Sequence, residues 1–202
     1  IVGDGFHFVS VYPVAKPRVQ RMNQNNNDGR IDEWGGIVSD GTRICVLERG
    51  AGHWKVMQTS VEGGNAERIA APFENTRLFA ISPDHSQFLV GQFTRRDEEM
   101  PLWLWPVQGG EPRRLGQATG HDPAWSLDSM QIVVVRGQDL YTVRRDGTQL
   151  RKLLHINGEP RRPAWSPDGR NIRFTKGSQR RTDLSRVRRH VCPVLSIVKN
   201  AF

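Results

Sequence analysis

The sequence is short of the residues that most often announce chemistry. Its 202 residues include two cysteines, Cys45 and Cys192, enough for one bridge at most. Neither belongs to a CxxC or Cys/His cluster, which excludes a disulfide framework and a zinc module. Six histidines (His7, His53, His85, His121, His155 and His190) stand singly. Catalytic signatures are absent as well: there is no GxSxG elbow, GxxxxGK loop, HExxH, GxGxxG after a strand, or EF-hand loop. The longest aliphatic run, Ile132-Val133-Val134-Val135, falls far short of the roughly 20 residues a membrane-crossing helix needs. No membrane-crossing helix and no signal peptide are expected within these residues, and a first residue of Ile1 fits the expectation of a processed chain or a fragment.

Charge of one sign is also scarce over most of the length. The formal net charge is +8, but residues 176–202 hold seven basic side chains (Lys176, Arg180, Arg181, Arg186, Arg188, Arg189, Lys199) against Asp183. The other 175 residues carry 22 basic and 20 acidic groups. A nucleic-acid footprint needs positive charge focused on a folded face, so the body is expected to bind no nucleic acid. The segment 176–202 reads as a basic tail, poorly ordered, and no aromatic residue is interleaved with its arginines as a single-strand binder would require.

What is present is repetition. Pro163-Ala-Trp-Ser-Pro-Asp-Gly169 followed by Asn171-Ile-Arg-Phe-Thr175 has a counterpart in Pro123-Ala-Trp-Ser-Leu-Asp-Ser129 with Gln131-Ile-Val-Val-Val135. A third copy is Phe79-Ala-Ile-Ser-Pro-Asp-His85 with Gln87-Phe-Leu-Val90, and a fourth, weaker one is Ile37-Val-Ser-Asp-Gly41 with Arg43-Ile-Cys-Val46. The aligned acids Asp40, Asp84, Asp128 and Asp168 lie 44, 44 and 40 residues apart. Each interval then continues alike, with an apolar stretch, a second one ending at a Gly turn, and a third that alternates polar and apolar residues. Four short strands per repeat follow, separated by hairpin turns. No window shows the i, i+3, i+4, i+7 spacing of an amphipathic helix.

A four-stranded sheet with two apolar faces buries both only against neighbouring copies, which is the logic of a β-propeller blade. The expected fold is therefore all-β: a partial β-propeller of four-stranded antiparallel blades, about three whole and two partial, forming an open arc and not a closed ring. Residues 1–34 read as a partial blade, with strands at Asp4–Val9, Arg18–Met22 and Asp28–Ile31. Residues 35–175 are the propeller blades, with repeats near 35–70, 71–116 and 117–154 and the start of the next at 155–175.

The Trp-Ser-Pro-Asp-Gly turn, the Ile-x-Phe strand, the Leu-Trp or Leu-Tyr strand and the Gly-Gly or Asp-Gly turn resemble the WD-like repeats of bacterial TolB-like propellers over residues 35–175. The resemblance implies a non-catalytic module that binds a protein or a small ligand, with no cofactor and an extracytoplasmic, periplasmic location. Chains of this kind resemble either free periplasmic propellers, which act as translocation partners through protein contacts, or the C-terminal part of CadC-like winged-helix regulators. The alternative is the gating propeller of a prolyl oligopeptidase-type serine peptidase, whose catalytic residues would lie in a domain this chain does not contain. A monomeric fragment is expected.

The residues to single out are those of the repeat itself: Asp40, Gly41, Pro83, Asp84, Trp125, Asp128, Trp165, Pro167, Asp168 and Gly169. Pro presets the first turn position, Asp accepts backbone hydrogen bonds and Gly takes the positive φ that follows. The structural reading outweighs an acid/base or cation role, because each acid sits in a separate blade's hairpin. Trp125 and Trp165 share one repeat position and read as packing between blades. Trp103 and Trp105 alternate with Leu102 and Leu104, one pair to each side of a strand. Two further features have weaker functional alternatives. His121 and His155 both precede inner strands and would form a metal pair if they met. The arginine pairs Arg113-Arg114, Arg144-Arg145 and Arg161-Arg162 protect sheet edges by charge or line a docking rim for an anionic partner.

Overall fold

The computed structural model describes residues 10–11, 18–19, 37–49, 54–63, 65–93, 99–177 and 194–199. Within them the chain forms antiparallel strands and no helix. A short ladder pairs β1 (Ser10–Val11) with β2 (Arg18–Val19); the other strands expected before residue 35 lie outside the described residues. Blade 1 comprises β3 (Ile37–Ser39), β4 (Arg43–Arg49), β5 (Trp54–Ser60) and β6 (Glu67–Ala70), paired in chain order. Blade 2 comprises β7 (Thr76–Ile81), β8 (Gln87–Gln92), β9 (Met100–Pro106) and the first part of β10 (Arg113–Trp125). Blade 3 takes the rest of β10 with β11 (Gln131–Arg136), β12 (Asp139–Arg144) and β13 (Arg151–His155). Blade 4 holds β14 (Glu159–Trp165), β15 (Asn171–Gly177) and β16 (Val194–Lys199). The sheets are not closed on one another, so the architecture is a partial, open β-propeller.

Two features depart from the sequence expectation. Within the segment read as a basic tail, Val194–Lys199 pairs with β15, with Ile172 opposite Val198 and Arg173 opposite Ile197. The five apolar and small residues Val194-Leu-Ser-Ile-Val198 are strand formers that the charge count over the whole segment concealed. The second departure is β10. It runs unbroken for 13 residues, serving blade 2 as fourth strand and blade 3 as first. Arg113 and Arg114 pair with Leu104 and Trp103, whereas Ala124 and Trp125 pair with Val133 and Ile132. Blades 2 and 3 are thus one seven-stranded sheet.

Side chains of the second strand follow a strict rule. Counting from the repeat Asp, the fourth and sixth residues face the preceding blade and the fifth and seventh face the next, as a period of two demands. Cys45 and Leu47 of blade 1 meet Phe88 and Val90 of blade 2. Leu89 of blade 2 meets Ile132 and Val134 of blade 3, and Val133 and Val135 of blade 3 meet Ile172 and Phe174 of blade 4. The core is therefore three layers lying between blades. Each fully buried Leu, Ile, Val or Phe there contributes about 1.5–3 kcal/mol of transfer free energy. On β9, Leu102 and Leu104 join the layer toward blade 3 while Trp103 and Trp105 join the one toward blade 1.

Candidate functional site

The repeat turns define one face of the arc. In blades 2, 3 and 4 the serine before the Asp donates its hydroxyl to the carboxylate: Ser82 to Asp84 at 2.6 Å, Ser126 to Asp128 at 2.6 Å and Ser166 to Asp168 at 2.5 Å. The same carboxylate oxygen accepts the N–H two residues on, from Ser86, Met130 and Arg170. The hydroxyl in turn accepts the N–H of Gln87, Gln131 and Asn171. The residue after the Asp adopts positive φ in all four blades: Gly41 at 89°, His85 at 61°, Ser129 at 61° and Gly169 at 69°. Pro83 and Pro167 occupy the first corner, where Leu127 stands 57% exposed in blade 3.

These turns are not independent. Asp40, its side chain only 1% exposed, accepts Arg43 Nε at 2.6 Å and has His85 Nδ1 of the next blade at 3.7 Å. Burial alone would raise the Asp40 carboxyl, but hydrogen bonds from Arg43 and Thr42 outweigh it and hold it well below the usual carboxylate range. Asp84 takes its backbone N–H to Ser129 Oγ of blade 3 at 3.0 Å. Its carboxylate and Ser86 Oγ are both bonded by Arg145 of blade 3, whose guanidinium also lies 5.9 Å over the Trp125 ring. Arg113 donates to the carbonyls of Arg145 and Asp146. Arg113 and Arg145 therefore tie blades together, a role that reading the arginine pairs as edge charge missed. Below them the backbones nearly touch, and a Cβ placed on Gly116 would meet the Gly147 oxygen at 2.1 Å.

Trp125 and Trp165 occupy equivalent places in successive layers. Trp165 donates Nε1 to the Ala124 carbonyl of blade 3 at 3.2 Å, while the buried Nε1 of Trp125 has no partner. His121 and His155 do not meet. His121 lies on β10 and His155 on β13, with β11 and β12 between them, and His155 Nδ1 is bonded to Asp139 at 2.6 Å. Among the described residues no three His, Cys, Asp or Glu side chains converge.

The feature that sequence reading missed lies on the inner strands. Whereas β3 pairs with β4 without a register shift, those of blades 2 to 4 carry a β-bulge at the same place: between Leu78 and Ala80 on β7, His121 and Ala124 on β10, and Arg161 and Ala164 on β14. At the last two, Asp122 and Arg162 take φ of 47° and 50°, although each precedes a proline that disfavours helical backbone. Strained residues of this kind persist where the surroundings fix them, and they cluster at binding sites. Asp122 Oδ2 accepts the Arg162 N–H of the next blade at 3.2 Å and lies 3.6 Å from His121 Nδ1. The His121 side chain is 7% exposed, and its Nδ1 makes no hydrogen bond. His121 foremost, opposed by burial and aided by the Arg162 N–H, holds the Asp122 carboxyl below its ordinary value. The signal in the sequence was the pair Asp122-Pro123 and Arg162-Pro163 at one repeat position.

Fold and site together define a β-propeller segment that holds an ionised Asp122 on its inner edge beside the exposed Arg162. Comparison with known proteins then points to TolB-like propellers. The chain is 30% identical over 129 residues to the Tol-Pal system protein TolB of Anaeromyxobacter dehalogenans (strain 2CP-C), covering 61% of this chain and 29% of that protein. It is also 30% identical over 81 residues to the uncharacterized peptidase YuxL of Bacillus subtilis (strain 168), covering 37% of this chain and 12% of that one. The chain thus spans less than a third of the length of either relative. Among solved structures, TolB from Acinetobacter baumannii superposes with a TM-score of 0.57 at 15% identity, over 72% of this chain and 38% of that one. No family model matches the sequence.

Proposed function

We propose that this segment is a non-catalytic binding module, the interaction or sensor part of a larger bacterial protein, which takes a protein or small ligand at the inner edge of the arc. The supporting observation is the matched pair of strained bulges, which present Asp122 and Arg162 from adjacent blades and are joined by the Arg162 N–H. A fixed carboxylate beside an exposed arginine of opposite charge suits recognition of a polar partner. The similarity to TolB supports an extracytoplasmic setting and a protein partner. A winged-helix DNA-binding domain upstream is the arrangement in which the segment would act as the sensor half of a transcriptional regulator.

The similarity to a peptidase favours one other reading, a gating propeller beside a serine hydrolase domain. Reading the coding sequence on both sides discriminates, since a winged-helix pattern upstream supports the sensor and a GxSxG downstream supports the peptidase. On the purified chain, chromogenic prolyl peptides are expected to remain uncleaved. Turnover that survives further purification would overturn the non-catalytic reading.

A further inference from the structure

The fifth and seventh residues after the repeat Asp, which face away from the preceding blade, are buried in every blade but one. In blades 1 to 3 these positions are Cys45 and Leu47, Leu89 and Gly91, and Val133 and Val135, all buried. In blade 4 they are Arg173 and Thr175. Arg173 is exposed, Thr175 is half-buried, and the alternate residues Ile172 and Phe174 are fully packed against blade 3. Cross-strand partners share a face, so Arg161, opposite Thr175, and Ala164, opposite Arg173, lie on this same side. The sheet that should offer an apolar seat to a further blade instead offers the exposed Arg173 guanidinium.

Charge follows the same break. Residues 157–177 hold five basic side chains (Arg161, Arg162, Arg170, Arg173 and Lys176) against Glu159 and Asp168. Asp168 is spent in its own turn and Glu159 lies 3.6 Å from Arg161. Blade 3, residues 118–156, carries five basic and four acidic side chains. Burying the Arg173 guanidinium against an apolar blade costs several kcal/mol, whereas an acidic surface compensates it. We infer that the outer face of blade 4 is a docking surface for an acidic protein surface, and not the seat of another blade packed through an apolar layer. The surface rests on Arg173 of β15, whereas the inner-edge site rests on Asp122 of β10 and Arg162 of β14, so it stands or falls without that reading.

The test uses the 202-residue chain with poly-L-glutamate as probe, followed by fluorescence anisotropy at low and at physiological salt. Arg173→Glu is expected to weaken binding about fivefold, with the thermal midpoint unchanged. Arg136→Glu, the same charge change at an exposed site on blade 3, is expected to weaken it less than twofold. Equal effects of the two variants, or tighter binding to duplex DNA or to anionic vesicles than to poly-L-glutamate, would overturn the proposal. A second variant, Arg173→Val with Thr175→Val, restores the pattern of the other blades. It is expected to bind an apolar-surface dye and to self-associate. A higher thermal midpoint with no dye binding would mean that an apolar layer already covers this face, and would equally overturn the proposal.

Discussion

Substituting Gly116 by Ala tests the join between blades 2 and 3 directly. Two costs are superimposed at this position. Gly116 has φ of 54°, and an L-residue there costs about 1–2 kcal/mol. The added Cβ would also lie 2.1 Å from the Gly147 oxygen and 3.0 Å from its carbonyl carbon, atoms of a hairpin backbone that cannot swing aside as a side chain does. Overpacking of this kind adds about 1–3 kcal/mol. The total, about 2–5 kcal/mol, corresponds to a fall of roughly 4–20 °C in thermal midpoint for a chain of this size. Gly169→Ala separates the two costs, because Gly169 has φ of 69° but nothing within 4 Å of its would-be Cβ. That variant should lose only the backbone share, about 1–2 kcal/mol. Thermal and urea unfolding followed by circular dichroism would read both. If Gly116→Ala costs no more than Gly169→Ala, the two backbones do not approach as described and the join is wrong.

Other expectations follow from single contacts. Trp165→Phe should cost about 1 kcal/mol more than Trp125→Phe in urea unfolding, since only Trp165 loses a hydrogen bond, the one to Ala124; equal costs would argue against the bond. Arg145→Ala should destabilise by no more than about 1 kcal/mol, because the Asp84 it pairs with is 40% exposed and well screened, and a larger loss would mean the junction depends on it more than its exposure implies. The Asp40 carboxyl is held below its ordinary 3.8 in the folded chain, so its contribution is complete above the unfolded value and is lost as pH falls through the lower folded one. The slope of stability against pH below about 4 should therefore be shallower in Asp40→Asn than in the parent. Burial pushes the Cys45 thiol up to about 11, so with Cys192→Ser in place iodoacetamide at neutral pH should label the remaining thiol only after denaturation.

Much of the architecture was legible because the blade is a local object. The repeat at Asp40, Asp84, Asp128 and Asp168 located the hairpins, and the alternation Leu102-Trp103-Leu104-Trp105 announced a strand buried on both sides. What stayed hidden depends on relations between blades. Nothing in Arg113 or Arg145 distinguishes a strut from an edge charge until the next hairpin lies beside it. The positive φ shared by His85 and Ser129 with Gly41 and Gly169 was masked by their ordinary side chains, as was the bulge that turns Asp122 toward Arg162. Continuity of β10 was hidden because Gly116 and Gly120 read as breakers, whereas a Cβ on Gly116 would strike the hairpin backbone at Gly147 and one on Gly120 the backbone of β11 at Val135. Val194–Lys199 escaped notice because charge averaged over 27 residues says nothing about six of them.

The shared strand also bears on how the protein is made. As the chain emerges in order, the leading half of β10 completes one hairpin stack, and its trailing half is at once the template on which β11 can grow. Blades 2 and 3 should accordingly assemble as a single zipper, each new hairpin laid on an edge already in place. A nascent chain halted near residue 130 would then expose a half-used template, the point in synthesis at which stray pairing with another chain is most to be feared.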